Sequence, residues 1–355
     1  MKKVIIIGSG WAGSSFLKYL DTDKYDVTVI SNCKKFIYTP LLANSIFHDK
    51  DLEYDLISEK KIKFIEGNIN NINFKNNEIE FNEKMIDYDY LILAHGSNIN
   101  TFNIEGVQKY CFFLKNSNDV IKIQNKLNSL NKNSKIAVIG CGPTGSEIIG
   151  NLIDKDKFKI FAIDGLKMPL SVYNKDLSSH TYNLWKKYNV NLYFDNFVKK
   201  IDENKIYFKD TDITYDMVFW CGGVKISELS QNINKKLGLN CKFGIPVDKY
   251  LKVKNTDNVY AIGDCSYNDL PPTAQVSYQE GKYLAKKFNN NFKNSKKFIF
   301  YNKGQICYIG KNESVYQSKY FSSGGKIVGY LNNFIHIYNA INLNQSLDFL
   351  KNLFK

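Results

Sequence analysis

The sequence predicts an α/β fold: two doubly wound, Rossmann-type domains side by side, followed by a C-terminal amphipathic segment. Three observations carry this. The apolar run Val4-Ile5-Ile6-Ile7 leads straight into Gly8-Ser9-Gly10-Trp11-Ala12-Gly13, the strand, glycine turn and helix start of a β-α-β unit. The same order returns about 130 residues later, where Lys135 to Ile139 meets Gly140-Cys141-Gly142-Pro143-Thr144-Gly145. Each copy is then followed by a similar series of short strand signals.

In the first copy, residues 4–7 read as a buried parallel strand, Ser14 to Leu20 as a helix and Tyr25 to Ile30 as the second strand. Strand signals near 62–65, 71–74 and 78–81 precede the apolar strand Tyr90 to Ala94. In the second copy the helix runs to about Ile153 and the strand Lys159 to Ile163 closes the unit. Signals at 190–194, 205–208 and Met217 to Cys221 repeat the series. From about 298 the chain becomes Tyr- and Phe-rich and β-like, then helical. The expected division is a split first domain (1–108 and 245–297), a second domain (109–244) and a C-terminal region (298–355). The 355 residues suit two or three domains at ~150 residues each.

Composition narrows the function classes. With 44% hydrophobic residues, 24 Tyr and 24 Phe, the chain can bury sizeable cores and is no disordered protein. Its 48 cations are all Lys against 35 acids, a net charge of +13. The absence of Arg removes the side chain best suited to bidentate base or phosphate recognition, so a nucleic-acid partner is not expected. Lys still attracts anionic lipid or cofactor as a point charge. The seven cysteines form no CxxC pair and no His-linked metal spacing, so no metal is expected and a reducing, intracellular compartment is. Gly8 stops the N-terminal apolar run too soon for a secretory signal, and no stretch approaches the ~18 apolar residues of a membrane span. The expected location is cytoplasmic or peripheral on a membrane surface.

Both glycine turns suit a dinucleotide. The first glycine (Gly8, Gly140) permits the tight turn and the second (Gly10, Gly142) lets the backbone approach a pyrophosphate. The third (Gly13, Gly145) allows close helix packing, and the helix N-terminus favours negative charge. Trp11 and Ala12, like Pro143 and Thr144, fill the turns between these glycines. The first unit's second strand runs into Ser31, where an acid is usual; its hydroxyl holds a ribose more weakly than a carboxylate would. The second unit's strand runs into Asp164, which can accept from both ribose hydroxyls and repels a 2′-phosphate, favouring NADH over NADPH. Asp164 can equally serve as a solvated turn residue. Two dinucleotide sites on one chain imply one bound redox cofactor and one exchanging nicotinamide.

At these residues the chain resembles the two-dinucleotide-domain flavoproteins, and more closely the type II NADH:quinone oxidoreductases. Phe36-Ile37-Tyr38-Thr39-Pro40-Leu41-Leu42 is similar to that family's flavin-side loop, and Ala94-His95-Gly96 to the end of its flavin-domain strand. Gly142 to Glu147 resembles its nicotinamide turn, and Val259 to Asp264 the strand whose Asp binds the ribityl chain of FAD. Pro271 to Gly281 resembles the AQxAxQQG helix that meets the flavin ring and lines the quinone site, with Ser277 in place of Ala and Glu280 in place of Gln. The resemblance implies FAD and NADH as cofactors and a quinone as acceptor. It places Gly8, Gly10 to Gly13, Ser31, Thr39, Pro40, Ala94, Gly96, Gly263, Asp264, Ala274 and Gln275 at the flavin, and Gly140, Gly142 to Gly145 and Asp164 at the nicotinamide, with Gly222 a further cofactor-binding candidate. Gln275 and Gln279, four apart on one helical face, are expected to address a quinone head. Glu147 has two readings: a helix-dipole acid in a first turn, or a proton and charge group near the nicotinamide and quinone. His95 is expected to position rather than to transfer protons.

In the tail, Leu331, Phe334, Ile335, Tyr338 and Ile341, then Leu343, Leu347, Leu350 and Phe354, recur at three- and four-residue spacing. This suits two short amphipathic helices, with 327–355 contacting a membrane, a second copy of the chain, or its own core. Other functions compete with quinone reduction: a NADH-binding flavoprotein switch of the apoptosis-inducing-factor type, an FAD/NAD(P)H oxidoreductase with another acceptor, and a relative that has lost its flavin.

Overall fold

The computed structural model describes residues 1–48, 52–55, 61–293 and 296–342, the last seven of them without side-chain placement. Two compact units emerge. The first comprises Met1–Ile37, Glu53–Asn98 and Val224–Tyr301; the second comprises Tyr38–Leu52, Ile99–Gly223 and Asn302–Lys355.

The first unit is organised on a five-stranded parallel sheet in the order Val259–Ala261, Tyr90–Leu93, Lys2–Ile7, Tyr25–Ser31, Ile62–Glu66. Strands buried on both faces read as continuous apolar runs, and Val4, Ile6, Val29, Leu91 and Ile92 are fully buried here. The register sets Ile7 beside Ile30 and Leu93, so three strands end together. The helices Trp11–Tyr19 and Ala274–Asn289 pack on this sheet, Phe16 meeting Phe288 edge-on at 5.3 Å. Their crossing is close because Gly281 has no side chain: a Cβ there would lie 2.4 Å from the Ala12 carbonyl oxygen. The signals at 71–74 and 78–81 become two strands of an antiparallel meander, Asn71–Asn73, Glu78–Phe81 and Lys84–Asp87.

The second unit has a four-stranded parallel sheet, Asn191–Tyr193, Lys159–Ile163, Lys135–Ile139, Met217–Trp220. The helix Ser117–Ser129 starts at Asn116, whose side chain forms a reciprocal capping box with Asp119. A three-stranded antiparallel sheet, Gln305–Gly310, Glu313–Gln317 and Ser322–Gly325, packs on the helices Pro143–Lys155 and Lys175–Lys187. Leu170, Leu177, Cys307, Ile309 and Val315 make that joint, and the buried Trp185 donates its indole N–H to the Ile309 carbonyl at 3.2 Å.

The two units divide the chain at positions other than the expected 108/109, 244/245 and 297/298, and packing accounts for the first two differences. Ile99, Ile104 and Val107 fill a core of the second unit, whereas the helix Glu228–Lys236 inserts Ile233 into the core of the first. The C-terminal sheet is part of the second unit rather than a separate region. The final described helix is Lys326–Asn342. On it Val328 and Asn332 are buried, while Ile327 (86%), Tyr330 (70%), Leu331 (44%) and Phe334 (68%) stand exposed. The side chains of Tyr338 and Ile341, and all of Leu343, Leu347, Leu350 and Phe354, lie outside the described residues. Among the described residues no helix is long and apolar enough to cross a membrane.

Candidate functional site

The two glycine turns share a common set of hydrogen bonds. Gly8 N–H donates to the Ile30 carbonyl (2.9 Å) and Gly140 N–H to that of Ile163 (2.8 Å). Ser14 Oγ donates to the Ser9 carbonyl (2.6 Å), and Ser146 Oγ to that of Cys141 (3.1 Å). Gly8 and Gly140 take φ of +104° and +92°, and a Cβ on either would sit 2.4 Å from a strand-end carbonyl, Ala94 or Cys221. A Cβ on Gly13 or Gly145 would lie 2.1 or 1.9 Å from the carbonyl oxygen of Gly8 or Gly140, so these glycines let each helix start against its turn. Over Gly10 and Gly142, by contrast, a Cβ would meet nothing within 4 Å. The helices beginning there have no side-chain cap, whereas Asn116, Asn174, Ser227 and Thr273 cap others. Open backbone and uncapped N–H groups suit a diphosphate.

Around the first turn, Ser31 ends its strand with Oγ 2.8 Å from Ser9 Oγ, and Ser9 Oγ also donates to the Cys33 carbonyl at 2.5 Å. The ring of Trp11 meets Phe36 edge-on at 5.0 Å. Beyond the strand end at Ala94, His95 Nε2 lies 2.7 Å from Ser230 Oγ, and burial lowers its pKa to about 4, so the ring is neutral at pH 7. Gly96 follows with φ +72°. Asp264, in the turn after the strand Val259–Ala261, accepts from Ser97 Oγ (3.3 Å) and Ser277 Oγ (3.4 Å). A cavity of about 570 Å³ opens here, lined by Ser97, Gly263, Asp264, Pro272, Val276 and Glu280 among others.

The helix from Ala274 is capped by Thr273, which accepts from Val276 N–H at 3.3 Å. Gln275 and Gln279 share its face as expected. The Gln279 amide, however, is engaged at both ends by the backbone of Tyr301: Nε2 donates to the carbonyl (2.9 Å) and Oε1 accepts from the N–H (3.0 Å). This clasp was not legible beforehand, because the local pattern around Gln279 does not indicate which distant backbone it meets.

Around the second turn, the Asp164 carboxylate accepts from Cys141 N–H (2.6 Å) and Leu166 N–H (2.8 Å), bracing the loop. Gly222 makes room for the Trp220 ring, 2.9 Å from where its Cβ would stand. Thr39 and Pro40 form a short 3-10 turn, Thr39–Leu41, in a segment that belongs to the second unit. Glu147 is the fifth residue of its helix, since the helix starts at Pro143. The expectation of a first-turn acid is therefore corrected, and the dipole, which acts within the first turn, does not account for it. Burial instead raises its pKa to about 8, leaving it largely protonated at pH 7. All seven cysteines are free thiols.

Comparison with known proteins agrees with this geometry. The sequence pattern of the pyridine nucleotide-disulphide oxidoreductase family matches residues 2–281. A probable NADH dehydrogenase of Dictyostelium discoideum is 30% identical over 92% of this chain and 83% of its own length. A probable mitochondrial NADH-ubiquinone oxidoreductase of Schizosaccharomyces pombe is 28% identical over 81% of this chain, which spans only 62% of that relative. The solved structure of NDH2 from Plasmodium falciparum in complex with NADH superposes with a TM-score of 0.90, covering 99% of this chain and 96% of that one at 25% identity.

The open space over Gly142 and the filled space over Gly145 generate a paired expectation. Gly142→Ala should stay within about 1 kcal/mol of the parent in stability yet bind NADH about tenfold more weakly. Gly145→Ala should in addition lose about 1–3 kcal/mol through the clash with Gly140. Thermal melts and fluorescence titrations with NADH read the two effects separately.

Proposed function

The chain belongs to the pyridine nucleotide-disulphide oxidoreductase family, and from that premise we propose that it is an FAD-dependent, non-proton-pumping NADH:quinone oxidoreductase of type II. The observation that carries this reading is the pair of matching glycine cradles, one in each unit, together with the Gln275–Gln279 helix beginning ten residues beyond Asp264. Two cradles suit a resident FAD in the first unit and an exchanging NADH in the second. The net reaction is NADH + H⁺ + quinone → NAD⁺ + quinol. Bound FAD supplies the two-electron centre that receives hydride from NADH and passes the electrons on.

The chain's own residues bind, orient and move protons. Gly8 to Gly13 and Gly140 to Gly145 present uncapped helix starts to the two diphosphates. Ser31 and Asp164 serve the riboses, and Asp164, already bracing its loop, disfavours a 2′-phosphate. Ala94, Gly96, Gly263 and Asp264 of the first unit surround the flavin. Gln275 takes the polar contact to the quinone head, while Gln279, held by Tyr301, fixes the chain that follows. Quinol formation needs one proton beyond the hydride, and Glu147, protonated near neutral pH, is suited to supply it. The quinone is lipid-soluble, and the exposed face of Ile327, Tyr330, Leu331 and Phe334 docks the protein on a membrane surface.

Three measurements test the reading. Purified protein supplied with FAD should show flavin absorption that bleaches with NADH and returns only when a soluble quinone is added. Bleaching that persists with quinone would favour the switch or another acceptor, and absence of bands would mean a lost flavin site. For Glu147 the proton is present below its pKa, so quinone turnover should fall as pH rises through about 8. Glu147→Gln should lower turnover about a hundredfold and lose that pH dependence. Finally, the double substitution Ile327→Asp with Phe334→Asp should abolish co-sedimentation with anionic vesicles while turnover of a soluble quinone persists. Unchanged co-sedimentation would remove this face from membrane contact.

A further inference from the structure

Glu280 is a carboxylate with no solvent exposure, and no ion pair neutralises it among the described residues. Its Oε2 accepts from Gly263 N–H at 2.6 Å and its Oε1 from Asn268 Nδ2 at 2.8 Å. Those partners stand at the two ends of the turn that carries Asp264, so one side chain clasps the whole turn. The position is fixed from behind: the neighbouring Gly281 lies against Ala12, Ser15 and Phe16, none of which ionises. The titratable groups facing Glu280 are Asp264 and the Cys265 thiol of the same turn. Lys225, Lys242 and Asp269 stand on the wall of the same cavity.

The contacts to Gly263 and Asn268 can be kept in two forms, with the Ser266 hydroxyl as a further partner of the carboxyl. Ionised, both oxygens accept, as the distances show. Protonated on Oε1, the acid donates to Asn268 once that amide turns over to offer its Oδ1, and Gly263 N–H keeps its acceptor. The proton therefore costs neither of these two hydrogen bonds. What it changes is charge, since ionised Glu280 sets a second negative group beside Asp264 in the cavity.

We propose that Glu280 is a proton-linked positioning residue of the flavin turn: FAD, a dianion, binds most tightly when Glu280 is neutral, and its binding draws a proton onto this side chain. The inference rests on the flavin reading given above. Desolvation, with Asp264 beside it, raises the pKa of Glu280 to about 7 even before ligand enters, so the proton is exchanged near neutral pH. The sign follows by linkage. Binding of an anion raises the pKa further, so affinity is highest below about pH 7 and declines above it until Glu280 is ionised in the complex as well.

The test is FAD titration of apoprotein from pH 6 to 9, for the parent and for Glu280→Gln, which keeps the clasp in its uncharged form. The parent's dissociation constant should rise about tenfold across this range, and that of the variant should stay nearly flat. Calorimetry of the parent alone, in buffers of different ionisation enthalpy at pH 7.5, should show net proton uptake on FAD binding, and this readout does not depend on the variant's folding. Parallel pH profiles in the two proteins, or no proton uptake by the parent, overturns the proposal. If neither protein binds FAD at any pH, the flavin reading itself fails and takes this inference with it.

Discussion

Everything at the two nucleotide cradles depends on one steric allowance, the missing Cβ at Gly13 and Gly145. With 2.1 and 1.9 Å between that position and the carbonyl of the opening glycine, no larger residue fits without moving the helix away from its turn. The close approach fixes where the helix starts and therefore where the N–H groups of its first turn point. It also makes a side-chain cap unnecessary and unwelcome, because a cap would compete for the N–H groups a phosphate needs. The same closeness seats the opening glycine against the end of a neighbouring strand, Ala94 in one unit and Cys221 in the other. Strand end, turn and helix are thus one packed object, which is why its two copies agree within tenths of an ångström in most of their hydrogen bonds.

A second regularity concerns charge. The chain has no Arg, and its described ion pairs join Lys or His to acids at side chains that all retain some solvent exposure. Such pairs contribute little stability. Glu147 and Glu280 form no ion pair among the described residues, and burial, joined at Glu280 by the neighbouring Asp264, raises the proton affinity of each. A buried ion pair would have pinned their charge; burial without a partner leaves the proton exchangeable in the neutral range.

Much of the architecture was legible in the sequence because it rests on local rules. Apolar runs ending in glycine gave the parallel strands, and the two glycine turns gave the helix starts. The Gln-containing helix was readable from Pro271 to Gly281. What escaped depends on contacts distant in sequence. Ile233 joins the first core and Ile99 the second, so these two unit boundaries lie away from the positions that the repeated layout suggests. The Gln279–Tyr301 clasp spans 22 residues. Glu147 lies beyond the first turn because its helix begins at Pro143, inside the glycine turn rather than after it. Glu280 stood out as a substitution within a recognisable motif, but only the fold brings Gly263 and Asn268 to its two oxygens.

The interleaving of the two units has a consequence for synthesis. The chain passes between them at residues 37/38, 52/53, 98/99, 223/224 and 301/302. The edge strand Val259–Ala261 of the first sheet pairs with Tyr90–Leu93, and the helix Ala274–Asn289 covers strands made at the very start. Neither unit can close while its later segments are still within the ribosome, so the nascent chain carries exposed parallel strands through most of its translation. Slow, non-local closure of this kind favours assistance by chaperones. It also means that cutting the gene between the cradles yields two fragments, each lacking part of its own sheet, rather than two independent domains.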